Sequence, residues 1–511
     1  MTEQMIEHLT LLTKQKHYRK DNRYGYETGR SPFIDYILED KESYKPLSSS
    51  ICRFTGKPWI DRDNDFLIGE SGGVLMKIDF VFVGTEIFSR VADFYEKHGC
   101  YCLEPDDSPN AIKFWQREMD RRVKGVQAYC KLYIKDIPAY LAAKSDAERK
   151  ALLHKVRITG DHYNYLNYGR IERAPNEKER KQLDKEGRFK VNTVEGFPRF
   201  WDGDYWNFKI DELIANNSCN LCKAKARRKG FSYKRGSQAA NTINANKNVT
   251  VTLAADQMDY LTEKGATSYM VKVNLDWYED KTYWRRGYLS ENFDKGIELG
   301  YKKSKEGQKA FGFRSKLLSV AIGKNESAAV GKKAIETDFE EAGKCPNLQK
   351  ALDVMMSNSE SGAMRIGTIR VYGTGGTKGA NWEAFSNCFY NPGKNDMLPM
   401  ENIWDANSRH AVCGFFFPQI WDYEPFIEDG NSLLFASWKD DYDKKRGAEK
   451  EKDAGEYNIY VGQRANSPNE AFTNTQENIF HSPELTNHIN AIKYDKSNHF
   501  YEDGWYILDD R

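Results

Sequence analysis

From residue 219 to residue 421 the sequence alternates short apolar runs with stretches of helical character, and this alternation constrains the fold more than any other feature. The runs "SCNLCKAKA", "NVTVTLAA", "KKAIETDF", "MRIGTIRVYG" and "AVCGFFFPQIW" read as strands. Between them, "YKRGSQAANTINAN" reads as a helix, and "DQMDYLTEKG" is expected to open another with Asp256 as its N-cap. Strands separated by helices build a parallel sheet whose two faces are both covered. The expectation is therefore an α/β fold with a mainly parallel central sheet flanked by helices. In the first strand the short apolar side chains, Cys219 and Cys222 included, should pack on one face, with Lys223 and Lys225 alternating onto the other.

The flanks are less regular. Residues 1 to 110 are rich in Tyr, Gly, Asp and Pro, with strand-like pieces such as "GGVLMKIDFVFVG", and read as part of an irregular α+β N-terminal region spanning 1–145. From Ala111, the residues Ile112, Trp115, Met119, Val123, Val126 and Cys130 recur at steps of three and four, the signature of one helical face. Arg117, Arg121 and Arg122 would then form a solvated flank. The aromatics of "GDHYNYLNYGRI" and "FPRFWDGDYWNF" should pack a hydrophobic platform. The charged segment between them, "ERAPNEKERKQLDKEGRFK", reads as an exposed loop or hairpin, and "DDYDKKRGAEKEKDAGE" at 440 to 456 as an exposed insertion or linker.

At 511 residues the chain is long enough for two to four folding units, at about 150 residues each. Its 76 basic and 75 acidic residues leave a net charge of +1, so any anion site must be local. No apolar run approaches the roughly 18 residues of a membrane span, and the N-terminus lacks the apolar core of a signal peptide, so no membrane partner is expected and a cytoplasmic setting is. Nine Cys, an odd number, fit reduced thiols better than a disulfide framework. The Cys219-x-x-Cys222 pair has zinc-ligand spacing, and Cys100 and Cys102 lie close together, but a second C-x-x-C or an H-x3-5-H is missing.

One stretch concentrates charge: seven Lys or Arg fall in the thirteen positions from Lys223 to Arg235, without an acid. It could be a basic clamp for nucleic acid, or a phosphate loop. A phosphate loop turns between strand and helix so that backbone N–H groups and the helix N-terminus face the phosphates. The strand–turn–helix context is present, with Gly230-Phe231-Ser232 standing where Gly-Lys-Ser would end the motif. Phe231 occupies the lysine position, so the charge would have to come from the start of the turn, from Lys225 and Arg228. Spacing alone lets either Lys225 or Lys229 reach. Roughly a hundred residues later, "AIETDFEEAGKCPNL" offers the adjacent pair Glu340 and Glu341. Glu336, Asp338 and Glu340 would share one strand face, which makes Asp338 a rival metal ligand. A Gly-rich turn, "IRVYGTGGTKG", follows.

Together these stretches resemble the large terminase subunits of tailed bacteriophages. "KARRKGFSY" is similar to their deviant Walker A motif, whose lysine has moved to the beginning of the loop, "FEEAG" to a form of their Walker B motif, and Gly373-Thr374-Gly375 to their coupling motif. Wider similarity runs through "HGCYCLEPDDSPNAIKFWQREMDRRVKG", "DHYNYLNYGRI", "FWDGDYWNF" and "NSPNEAFTNTQENIF". The resemblance implies an ASCE-type P-loop NTPase that hydrolyses ATP with Mg²⁺ and translocates double-stranded viral DNA into a procapsid. It implies nucleotide binding by Lys225, Arg227, Arg228, Lys229, Gly230, Phe231, Ser232 and Tyr233. Ser232 and Glu340 would hold Mg²⁺, Glu340 and Glu341 would be the catalytic acids with Glu341 activating water, and Gly373, Thr374 and Gly375 would couple hydrolysis to movement. The implied domains are 146–440 for the motor and 441–511 for a lid or linker leading toward a nuclease. Asp509 and Asp510 are too few to make that nuclease's metal site, so cleavage is not expected of this chain. Implied partners are a portal protein, a small terminase subunit and further copies in a ring docked on the procapsid in the host cytoplasm. The other readings are a different DNA-dependent P-loop ATPase or helicase, and a non-enzymatic DNA-binding assembly protein using 223–235 as its clamp.

Overall fold

The computed structural model describes residues 108–472 apart from short internal stretches, together with the pairs 67–68 and 74–75. Most of the N-terminal region therefore lies outside the described residues, as do Asp509 and Asp510; within it, Leu67–Ile68 pairs antiparallel with Val74–Leu75.

An eight-stranded sheet organises the rest. In chain order its strands are β1 (Leu221–Lys225), β2 (Thr250–Ala255), β3 (Tyr288–Asn292), β4 (Gly296–Leu299), β5 (Lys316–Ala321), β6 (Glu336–Phe339), β7 (Thr368–Thr374) and β8 (Phe415–Phe417). Across the sheet they run β8-β1-β7-β6-β2-β5-β4-β3. The pairings from β8 to β5 are parallel, and β4 alone runs opposite, antiparallel to both β5 and β3. The strand carrying the basic loop, β1, is separated from the acidic strand, β6, by one added strand, β7. That is the ASCE-type arrangement, and the fold is a P-loop NTPase fold. The parallel strands are buried on both faces, as their apolar runs require: every residue of β1 and β7 is buried.

Five helices matter here: α1 (Pro109–Lys124), α2 (Gly160–Tyr168), α3 (Asp202–Asn217), α4 (Phe231–Ala245) and α5 (Thr267–Lys281). Helix α4 follows β1 through the basic loop and packs closely on α5. Gly236 permits this approach, because a Cβ there would lie 2.5 Å from the Met270 Cβ. The aromatic segments form the expected platform, with Tyr163, Tyr168, Phe200, Tyr205 and Trp206 buried in one core with the sheet.

Several local expectations are corrected. Helix α1 ends at Lys124, and Val126 and Cys130 belong to a strand, Val126–Ile134. Its buried face is Ala111, Trp115, Glu118 and Arg122, whereas Ile112 and Val123 are exposed. Arg122 is not a solvated flank: it is fully buried over the rings of Trp284 (4.0 Å) and Tyr278 (4.8 Å) and donates to Asn244. Cation–π stacking and one amide hydrogen bond replace the water that the sequence pattern assumed. The charged segment after residue 171 holds a helix, Glu177–Lys185, set between two short paired strands. Asp256 caps nothing: the helix after β2 is only Asp259–Thr262, with Met258 at its N-cap. The described part of the stretch at 440 to 456 is not simply an exposed linker, since Asp440–Arg446 and Gly447–Lys450 are helical and Asp441 and Arg446 are buried as an ion pair (2.7 Å). Arg446 also pairs with Glu470, so this segment is tied to the chain's later part.

Candidate active site

Parallel sheets of this kind place their chemistry outside the carboxyl ends of the strands, where the strand order reverses direction. Here β1 connects toward β2 on one side while β7 connects toward β8 on the other, and the crevice between β1 and β7 is that point. Register brings Thr374, the last residue of β7, directly opposite Lys225, the last residue of β1, and Phe417 of β8 sits on its other side. Phe339 ends β6 one step away, opposite Val371, so Glu340 and Glu341 emerge on the same edge.

The loop after Lys225 is shaped by two residues in the left-handed region, Arg228 (φ 63°) and Gly230 (φ 66°). Such turns gather backbone N–H groups into an anion-binding concavity. Gly230 is the N-cap of α4, makes no side-chain cap, and is followed by a first turn without an acid. The opening N–H groups of a helix have no partner within it, and the helix dipole favours an anion there. The side chains below hold this geometry. Phe231 is buried against Phe417 (5.4 Å between ring centroids) and Tyr372 (6.0 Å). It acts as the apolar foot of the loop, and a lysine in its place would be buried away from any phosphate.

At the mouth of the crevice, the Lys225 ammonium lies 3.3 Å from Glu341 Oε1 and 3.2 Å from Thr374 Oγ1. Glu341 has a left-handed backbone (φ 49°, ψ 45°), which turns the chain into the short 3-10 helix Ala342–Lys344 and presents its carboxylate toward Lys225. Burial would raise the Glu341 carboxyl, but the charges of Lys225 and Lys344 and hydrogen bonds from Lys225 and Thr374 hold it below the usual range, so it is ionised at neutral pH. Its neighbour behaves oppositely. Glu340 accepts from Ser232 Oγ at 2.7 Å and from Thr267, yet burial, with Glu341 beside it, pushes its carboxyl up to about 7.

Asp338 and Glu336 are not part of this edge. Their shared face points at Arg235 of α4, which pairs with Asp338 (2.6 Å) and with Glu336. Arg370 of β7 lies 3.2 Å from Asp211 and 3.6 Å from both Glu336 and Asp338. Lys223 pairs with Asp211 at 2.6 Å and donates to Asn207. Three cations and three carboxylates thus close a buried network beneath the loop, which removes Asp338 from the metal-ligand candidates and gives Lys223 buried acidic and amide partners.

The same accounting overturns the clamp. Of the seven basic residues at 223–235, Lys223, Lys225, Lys229, Lys234 and Arg235 are buried. Lys229 turns away from the crevice and donates to the carbonyls of Gln419 (2.6 Å) and Trp421 (2.5 Å), while Lys234 pairs with Asp204 and reaches the Lys229 carbonyl. Arg227 and Arg228 are exposed, and Arg227 meets Gln463 through its N–H and its guanidinium. Tyr233 is half-buried, with Glu172 and Lys264 as its charged neighbours. The structure therefore gathers Lys225, Gly230, Ser232, Glu340, Glu341 and Thr374 on one edge, and turns the Lys229 ammonium away from it. Gly373 and Gly375 flank Thr374 where nothing larger fits: a Cβ on Gly373 would lie 2.8 Å from the Ala342 nitrogen, and one on Gly375 would lie 1.9 Å from the Ala471 carbonyl oxygen.

Comparison with known proteins adds two likenesses. The chain is similar to the ATPase domain of a Thermus phage large terminase, at 11% identity and a TM-score of 0.32, over 57% of this chain and 99% of that one. It is also similar to the large terminase of a thermophilic bacteriophage in complex with ADP, at 9% identity and a TM-score of 0.28, over 48% of each chain. No protein-family model and no curated protein matches the chain.

The oxygen donors at the crevice suit Mg²⁺. This ion is hard, dehydrates reluctantly, and is usually held by one or two carboxylates plus substrate phosphates and waters. Ser232 and Glu340 supply one hydroxyl and one carboxylate, and among the described residues no group of three His, Cys, Asp or Glu could hold a metal without a ligand's help. Two contributors escape the motif reading. Thr267, the first residue of α5, holds Glu340, and Tyr372, buried between Arg370 and Thr374 on β7, raises no motif signal. The period-2 alternation Arg370, Tyr372, Thr374 was the available clue, since it places three polar side chains on one face of an otherwise apolar strand. Among the described residues, no helix is long and apolar enough to cross a membrane.

Proposed function

We propose that this chain is an ATP-hydrolysing motor that translocates double-stranded viral DNA into a procapsid. The observation that carries the reading is the meeting of Lys225, Thr374 and Glu341 at the carboxyl edge of the sheet, beside a Ser232–Glu340 pair and an open helix N-terminus. In this reading the backbone of residues 228–232 cradles the phosphates, and Lys225 supplies the charge that Phe231 cannot. Mg²⁺ bound with the nucleotide, on Ser232 and Glu340, would neutralise charge on the phosphate oxygens. Glu341, ionised and held at the edge, accepts the proton of the attacking water. Thr374, on the shared hydrogen bond with Lys225, reports the phosphate state to Gly375 and through it to the Ala471 backbone. The phage setting, the DNA, the portal, the small terminase subunit and the ring rest on the sequence resemblance.

The test is a DNA-stimulated ATPase assay of the parent, Lys225→Met and Glu341→Gln. Glu341→Gln is expected to keep ATP binding and lose about 10²–10⁴-fold in kcat, the usual contribution of general acid–base catalysis. Lys225→Met should lose binding. Hydrolysis by Glu341→Gln at the parent rate would remove the catalytic assignment, and strand separation on a forked duplex would favour a helicase.

A further inference from the structure

We propose that Thr267 is a positioning residue for the metal-binding acid: its hydroxyl fixes one oxygen of Glu340 so that the other stays on Ser232. The inference rests on the reading of Ser232 and Glu340 as the Mg²⁺ pair.

The two oxygens of Glu340 are divided between two helices. Oε1 accepts from Ser232 in the first turn of α4, at 2.7 Å, and Oε2 accepts from Thr267 at the start of α5. Thr267 stands one residue past the N-cap, so its hydroxyl is not the group that caps the helix. Here the N-cap is Ala266, with no side-chain cap, and the fully buried Thr267 hydroxyl is turned to the acid instead. The placement is also pinned from two sides. Gly236 lets α5 close onto α4, with a built Cβ only 3.2 Å from the Thr267 carbonyl oxygen. Ser268 and Ser319 share a hydrogen bond of 2.7 Å, which ties the start of α5 to β5.

Geometry explains why such a contact matters. The Glu340 carboxylate ends a side chain of three rotatable bonds, and Ser232 alone would leave it free to turn about the bond to Cγ. Two hydroxyls on opposite oxygens remove that freedom, as outer partners of metal-binding carboxylates do.

The experiment uses the full chain and Mn²⁺ as a spectroscopically visible stand-in for Mg²⁺. Electron paramagnetic resonance measures free Mn²⁺ in titrations with ADP, and ADP binding in the presence of EDTA serves as the metal-free control. Thr267→Val keeps the shape and removes the hydroxyl, and should weaken Mn²⁺ binding by about 10- to 100-fold. Thr267→Ser, which keeps the hydroxyl, should stay within about threefold of the parent. ADP affinity in EDTA should be the same in all three. Parent-like Mn²⁺ affinity in Thr267→Val would overturn the proposal, and so would equal losses in the Val and Ser variants, which would mean that keeping the hydroxyl does not preserve the site. If the Val variant does not fold, Thr267→Ala takes its place, with the same two outcomes deciding. A parent that binds ADP without taking up Mn²⁺ would instead overturn the underlying assignment of Ser232 and Glu340.

Discussion

Arg235→Met separates the acids that hold the fold together from those that do chemistry. Arg235 is buried on α4 between Glu336 and Asp338, and the network it belongs to balances Lys223, Arg235 and Arg370 against Asp211, Glu336 and Asp338. Methionine fills similar volume without charge, and leaves one carboxylate uncompensated among buried groups. Breaking one partner of such a pair costs about 3–5 kcal/mol. At about 2–4 °C per kcal/mol for a large domain, the unfolding midpoint should fall by about 10 °C. The loss should depend on pH in a definite direction. In the parent, burial raises the Glu336 carboxyl but Arg235 and Arg370 overcome it and hold it below the ordinary range. Its pairing therefore stabilises the fold above that range, and the contribution is lost as pH falls through the folded-state value. Without Arg235 the carboxyl rises and can take up a proton, so the gap between parent and variant should narrow as pH falls from about 8 to about 5. Thermal unfolding followed by circular dichroism across that range is the assay. A midpoint within about 2 °C of the parent at neutral pH, or a deficit that does not change with pH, would refute the reasoning. Adding Asp338→Leu should restore part of the loss, because removing both partners spares the buried charge.

Two further outcomes follow from the same geometry. Lys229→Met leaves the carbonyls of Gln419 and Trp421 without their donor and should cost about 1–3 kcal/mol of stability, measured by denaturant unfolding, while ATP affinity by calorimetry stays within about threefold because this ammonium does not face the crevice. Gly375→Ala puts a methyl where the Ala471 carbonyl stands, so the turn must move, and DNA-stimulated hydrolysis should fall by about 10²-fold while ADP binding persists; unchanged turnover would show that the contact is not used.

Much of the edge was legible before the fold. The strands that carry it, β1, β6 and β7, were readable as strand-like runs, as were β2 and β8, whereas β3, β4 and β5 were not read; Gly230, Ser232, Glu340 and Glu341 stood out because turns and acid pairs are local signals. The basic stretch misled for a physical reason. Charge in a sequence reads as exposure, yet Lys223, Lys229, Lys234 and Arg235 are buried, each neutralised by partners from distant segments: Asp211, the carbonyls near Trp421, Asp204 and Asp338. Arg122 and the helix at 440–450 failed in the same way, because the rings of Trp284 and Tyr278 and the carboxylate of Glu470 that receive them lie far along the chain.

By itself, then, the sequence determined the alternation of strand and helix, the turn after Lys225, and the chemical types present at the edge, all of which depend on neighbours within a few residues. Only the tertiary structure decided which lysine faces the crevice, which acids are ionised and which are locked in the network beneath, and that Thr267 stands on Glu340. Those choices depend on register across β1, β7 and β6 and on the close approach of α4 to α5, and such distances are set by packing between segments separated by tens to hundreds of residues.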